Sequence, residues 1–203
     1  MSHGNINSAA HKQEILLIRH GEPALDKKTP IALRDLKNWL AEYDANGVHS
    51  PQSPPLSLSA SELSRYFPVA SPLIRTSASL AELGITPRVI IDDLHEVVLP
   101  VFSPALLMPL KLPPMWWVTA FRLLWLAGGG KSVPSVAQVR RRAHNAAQTL
   151  SRHAEEHGAV LAMAHGIINR ALRAELEKQG WQLTEKTHNS YWGMMRFTRN
   201  IPV

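Results

Sequence analysis

Two short apolar runs, each ending in a His-Gly pair, constrain this chain of 203 residues more than any other feature. Glu14 to Arg19 (EILLIR) runs into His20-Gly21, and Ala159 to Met163 (AVLAM) runs through Ala164 into His165-Gly166. Such runs are too short for typical helices. They are apolar at successive positions rather than alternating, which is the pattern of strands covered on both faces. Val89 to Ile91 is a third short strand of this kind, and Tyr191 to Thr198 reads as a last, edge strand.

Helical segments separate these strands. Ser59 and Glu62 form a capping box that opens a helix to about Tyr66, where Pro68 stops it. A second helix spans about Thr76 to Leu83 and ends at Gly84, and a third spans Met115 to Ala127. Val136, Val139, Ala143, Ala146, Ala147, Leu150 and Ala154 share one face of a long helix, capped by Ser135 with Gln138 and ended by Gly158. A helix from about Ile167 to Lys178 follows, and an amphipathic piece lies near Ile31 to Tyr43. Strands alternating with helices predict an α/β fold with a mostly parallel central sheet. Residues 1–13 are polar, without an apolar signal core, and read as a flexible tail, leaving one domain over 14–203.

Composition narrows the chemistry. With no cysteine, disulfides, thiolate metal sites and Cys nucleophiles are excluded. A formal charge of +6 favours anionic partners, but the cations are scattered apart from Arg140-Arg141-Arg142, and no nucleic-acid-binding motif accompanies them. The expected partner is a phosphorylated small molecule, not nucleic acid. Leu106 to Ala127 is the most hydrophobic stretch, yet Pro109, Lys111, Pro113, Pro114 and Arg122 interrupt it, so no stable membrane insertion and a cytoplasmic location are expected. His153 and His157 have a helical spacing that suits zinc, but with no third ligand evident they read as a solvated helix end and no metal is expected.

In open α/β sheets, ligands bind beyond the carboxyl ends of the strands. There the sequence gathers His20, His165, Arg19, Arg75 after the Ser71-Pro72 turn, and Glu96 past the strand at 89 to 91. Arginine forks match phosphate oxygens. Neutral imidazole is a nucleophile near pH 7, and a second, protonated histidine can stabilise developing negative charge. A carboxyl group kept protonated can deliver a proton to a leaving alkoxide.

The ordered set resembles the histidine phosphatase superfamily, the phosphoglycerate mutase-like family, and its phosphatase branch in particular. Leu17-Ile18-Arg19-His20-Gly21-Glu22 is similar to the family's Arg-His-Gly signature. Ser71-Pro72-Leu73-Ile74-Arg75-Thr76 is similar to its second motif, Leu94-His95-Glu96 to its proton-donor segment, and Met163-Ala164-His165-Gly166 to its late His-Gly motif. The resemblance covers roughly residues 14 to 175. It implies a three-layer sandwich with helices on both faces of the sheet, and a phosphomonoesterase needing no cofactor, with a homodimer allowed. His20 would carry the phosphoryl group, Glu96 would be general acid then base, His165 would be both catalytic and phosphate-binding, and Arg19, Arg75, Gly21 and Glu22 would bind the phosphate with it.

Asp26 stands where the mutase branch usually has asparagine, and Val97-Val98-Leu99-Pro100 replaces a common turn after the donor glutamate. Both departures favour hydrolysis over the nearest alternative, a phosphoglycerate mutase-type phosphotransferase; a second alternative is a protein phosphohistidine phosphatase. The latter are generally shorter and lack an insertion such as the Pro/Trp-rich residues 98–130. Within that insertion Trp116, Trp117, Phe121, Leu124 and Trp125 are expected to pack a helix onto the core; the sharper reading is a cap selecting an apolar or lipid-like phosphate.

Overall fold

A computed structural model describes residues 11–51, 56–102, 104–129 and 133–201. Its centre is strand β1 (His11–Arg19), in which Ile15, Leu16, Leu17 and Ile18 are all fully buried. Ile15 and Leu17 pack under one helical layer while Leu16 and Ile18 pack under the other. That is why the run is apolar at every position. The strand starts at His11, ahead of the expected Glu14; residues 1–10 of the expected tail lie outside the described residues.

The remaining elements are β2 (Ile31–Ala32), α1 (Leu36–Ala45), α2 (Ala60–Leu63), β3 (Phe67–Ala70), α3 (Ile74–Glu82) and β4 (Val89–Ile90). After them come β5 (Lys111–Leu112), α4 (Pro114–Leu126), α5 (Val136–His157), β6 (Ala159–Ala164), α6 (Gly166–Lys178), β7 (Gln182–Lys186) and β8 (Met194–Ile201). Six strands form the main sheet in the order β4-β3-β6-β1-β8-β7, while β2 and β5 pair separately. β4, β3, β6 and β1 are parallel, and β8 is antiparallel to both neighbours. α5 and α6 cover one face and α2 and α3 the other, the expected three-layer α/β arrangement.

The capping boxes at Ser59/Glu62 and Ser135/Gln138 both form, and Gly158 ends α5 with φ +80°, a value that suits glycine. Three elements differ from expectation. Phe67–Ala70 is a strand inside the sheet although it contains Pro68. The proline is tolerated because its carbonyl accepts from Arg88 N on the side of β4, and β4 begins only at Val89, so no ladder donor is missed there. β8 is interior, and the edge belongs to β7, whose polar, mostly exposed Gln-Leu-Thr-Glu-Lys hides it from a search for apolar runs. In α4, Trp117, Phe121 and Trp125 are buried, but Trp116 and Leu124 are exposed rather than packed. Among the described residues no helix is long and apolar enough to cross a membrane.

One polar cluster ties the central strand β1 to β8 and to the turn between α2 and β3. The buried Glu14 carboxylate accepts from both Arg65 (2.8 Å) and Arg196, and from the Tyr66 hydroxyl. Removing a buried partner strands the others' charge. Glu14→Ala is therefore expected to lower unfolding free energy by about 3–5 kcal/mol in a urea titration, whereas an exposed pair such as Arg173–Glu177 should cost under about 1 kcal/mol.

Candidate active site

The parallel strands are in register at their carboxyl ends, Arg19 opposite Ala164 and Ala70 opposite Met163 and Ile90. The chain leaves the sheet there in step: His20 N donates to Ala164 O, Ser71 N to Met163 O and Ile91 N to Ala70 O. One rim thus receives His20 from β1, the Ser71 turn from β3, His165 from β6 and the His95-Glu96 segment beyond β4. A cavity of about 160 Å³ opens on it, lined by Arg19, His20, Arg75, Glu96 and Arg122 together with Tyr43 and Asp44 of α1.

His20 is buried, with 2% of its surface exposed. Desolvation, then the nearby charge of Arg75 and more weakly of Arg19 and Arg122, lowers its pKa to about 3, against the pull of a hydrogen bond to Gly21 O. The ring is therefore neutral near pH 7. Its Nδ1 lies 2.7 Å from that carbonyl, which can only accept, so Nδ1 carries the proton and Nε2 keeps its lone pair.

The arginines are held from behind. Arg19 donates through Nη1 to Asn189 O (2.9 Å) and stacks on Tyr191. Arg75, 1% exposed, donates through Nη1 to Asp44 Oδ1 (2.7 Å) and lies over the Tyr43 ring. Arg122 stands 3.9 Å from Glu96 Oε2. Among the described residues the Nε–H groups of these three and of Arg142 are buried without a partner. Three guanidinium groups lining one cavity mark a place for an anion.

Glu96 also lines the cavity, its Oε1 accepting from Val97 N at 3.0 Å. Arg142, expected on an exposed helix face, instead turns inward and donates to His95 O (2.8 Å), fixing the segment that presents Glu96. His165 is fully buried and stands behind His20 with ring centroids 5.0 Å apart, its Nε2 bonded to Ser71 Oγ at 2.8 Å. Burial, then Arg75 and His20, holds its pKa well below the usual value, so the second histidine is neutral here, not protonated as expected.

Gly21 and Glu22 do not reach the cavity. Gly21 N donates to Ser79 Oγ (2.8 Å), and a Cβ at this position would meet the Trp192 ring at 2.6 Å, so glycine is required for close packing. Gly166 has no such need, since the nearest atom to its Cβ would be Arg19 Cζ at 3.5 Å. Glu22 is exposed, pairs with Lys27, and faces a neighbouring hollow with His49 and Tyr191. A carboxylate among the arginines would compete with a bound anion, and its own lysine keeps it outside.

Sequence reasoning missed Asp44, Tyr43, Ser71 as partner of His165, Ser79 and Arg122. Only Arg122 carried a signal: it is the one charged residue in α4. At the far end of the sheet, Glu156 joins His153 and His157 in a group whose ligand atoms lie within 4.8 Å, the third member that the spacing alone did not reveal. Both rings stack on Phe67, His157 at 4.0 Å, and they take no part in the cavity.

A neutral histidine at a strand end, ringed by guanidinium groups, defines a site for an anionic electrophile. The chain belongs to the histidine phosphatase superfamily (branch 1), whose family model matches residues 15–200. A sequence comparison with curated proteins returns no match. Among solved structures, it is similar to the phosphoserine phosphatase of Entamoeba histolytica in complex with 3-phosphoglyceric acid, at 13% identity and a TM-score of 0.52, covering 90% of this chain and 89% of that one. It is also similar to the mycobacterial glucosyl-3-phosphoglycerate phosphatase, at 19% identity and a TM-score of 0.49, covering 92% and 90%. At these identities the first likeness shows the fold alone.

The buried histidines couple stability to pH. His20 titrates near the ordinary imidazole value of 6.5 when unfolded and at about 3 when folded, so unfolding takes up a proton between those values. Its contribution is present above about pH 6.5 and is lost as pH falls towards 3. In urea unfolding between pH 6 and 4, the stability difference between wild type and His20→Gln should shift by about 1.4 kcal/mol per pH unit in favour of the variant. A difference constant with pH would contradict this.

Proposed function

We propose that the chain is a phosphoric monoester hydrolase that works through a phosphohistidine on His20, without a metal ion. The observation that carries this reading is the neutral His20 ring, with Nε2 unprotonated, in a cavity lined by three arginines. A neutral imidazole beside a concentrated positive charge is suited to attack phosphorus in an anion that the same charge has drawn in.

In the proposed reaction a phosphate dianion accepts from the guanidinium groups of Arg19, Arg75 and Arg122. His20 Nε2 forms a bond to phosphorus while the bond to the leaving oxygen breaks, and Glu96 gives that oxygen a proton. The negative charge of the bound phosphate favours a proton on the neighbouring carboxyl group. The same charge can draw a proton onto His165, whose Nδ1 has no partner among the described residues. Water then attacks phosphorus, Glu96 takes a proton from it, and the nitrogen–phosphorus bond breaks to release inorganic phosphate and free His20. Ser71 positions His165 and Arg142 positions the Glu96 segment.

Hydrolysis of p-nitrophenyl phosphate is expected to vanish in His20→Ala and to persist in wild type with excess chelator; loss of turnover on chelation would sink the metal-independent mechanism. Glu96→Gln should lower kcat by about 10²–10⁴-fold on alkyl phosphates. The loss should be smaller on p-nitrophenyl phosphate, whose leaving group needs no proton. Equal losses on both substrates would remove Glu96 as the acid.

A further inference from the structure

The catalytic cavity is small. At about 160 Å³ it falls below the roughly 300–1,000 Å³ of pockets that enclose a whole organic ligand. It holds a phosphoryl group and the first atoms of what that group is attached to. The rest of a larger substrate must lie elsewhere.

A second cavity of about 710 Å³ lies between α4, α5 and α6. Leu123, Trp125 and Leu126 of α4, Val136 and Val139 of α5 and Ala171 of α6 make its walls apolar. Four cations, Arg122, Arg140, Arg170 and Lys178, stand around it. Its one carboxylate, Glu175, is engaged by Lys178 Nζ (2.6 Å) and His144 Nδ1 (3.2 Å). Arg122 lines both this cavity and the catalytic one, and Val97, Trp125 and Ile167 close with it the packed wall between them. An apolar trough ringed by cations is complementary to an anionic amphiphile, with its chain on the floor and its charged head towards the arginines.

The outer surface of this region is apolar as well. Leu123 and Leu126 are 63% and 61% exposed, and Trp116, seven residues before Leu123 on the same helix, is 68% exposed. Large apolar side chains grouped in this way mark a contact surface, and the surrounding cations select a negatively charged lipid surface as what it meets.

We propose that the α4–α5–α6 groove binds the apolar chain of a lipid-borne phosphomonoester whose phosphate occupies the catalytic cavity, with Arg122 as the shared wall. The identity of the head group rests on the phosphohydrolase reading; the groove does not.

Alkylphosphonates, whose carbon–phosphorus bond survives this chemistry, test binding apart from turnover. Titrated calorimetrically into wild-type protein below their micellar concentrations, butyl-, octyl- and dodecylphosphonate should bind progressively more tightly, by up to about fourfold for each methylene buried. Affinity independent of chain length overturns the proposal. Ala174, an exposed α6 residue on the groove, offers a second variant. Ala174→Trp should narrow the trough and bring the dodecyl affinity close to the butyl one, and an unchanged series places the chain elsewhere. Wild type should sediment with vesicles of phosphatidate in phosphatidylcholine, and Leu123→Ser with Leu126→Ser should release it. Wild type left in the supernatant overturns the lipid-borne source. A series that binds by length while butyl phosphate is not hydrolysed removes the hydrolysis and keeps the groove.

Discussion

Desolvation of His20 is the constraint on which the site depends. An imidazole in water is divided between two protonation states near its pKa, and a nucleophile needs only one of them. Burial with Arg75, Arg19 and Arg122 close by removes the cationic form, and the bond to Gly21 O selects the tautomer. Neither effect would survive a looser rim. Both require β1 and β6 to end in register, so that His20 N is pinned to Ala164 O while its side chain faces the arginines.

Concentrating guanidinium groups has a cost that the fold offsets locally. Arg75 is almost wholly buried, and among the described residues its one ion pair is with Asp44, whose side chain is half exposed. Asp44 thus balances the buried cation while its own carboxylate keeps contact with water, which limits the desolvation that a fully buried pair would cost. Tyr43 below the guanidinium adds to this, because a ring face attracts positive charge without competing for its donors.

Much of this could be read from the residues in order, and what escaped did so for identifiable reasons. His20 and His165 were visible because each ends a run apolar on both faces, a pattern with few alternatives at that length. Arg75 and Glu96 were visible through their place after strands and in an ordered set of motifs. Asp44 was not, since one acid on an amphipathic helix looks like any solvated residue until the helix is folded over Arg75. Glu22 was grouped with the pocket by adjacency alone, yet the chain turns so sharply at Gly21, under Trp192, that the next side chain faces Lys27. Pro68 stopped a helix in the one-dimensional reading and sits in a strand in three dimensions, because the neighbouring strand begins too late to need its missing donor.

Helix α4 shows how one element serves two environments. Thirteen residues carry a single charge, and an ordinary surface helix would be polar on its outer side. Here the inner side is spent on Trp117, Val118 and Phe121 against α1, while Leu123 and Leu126 remain outside and Arg122 projects between the two cavities. Leaving such side chains in water gains nothing for folding, since burial is what makes them stabilising. Their arrangement is explained by something outside the fold that covers them. The position of Arg122 ties that covering to the chemistry, because whatever lies along α4 ends beside the guanidinium that faces Glu96.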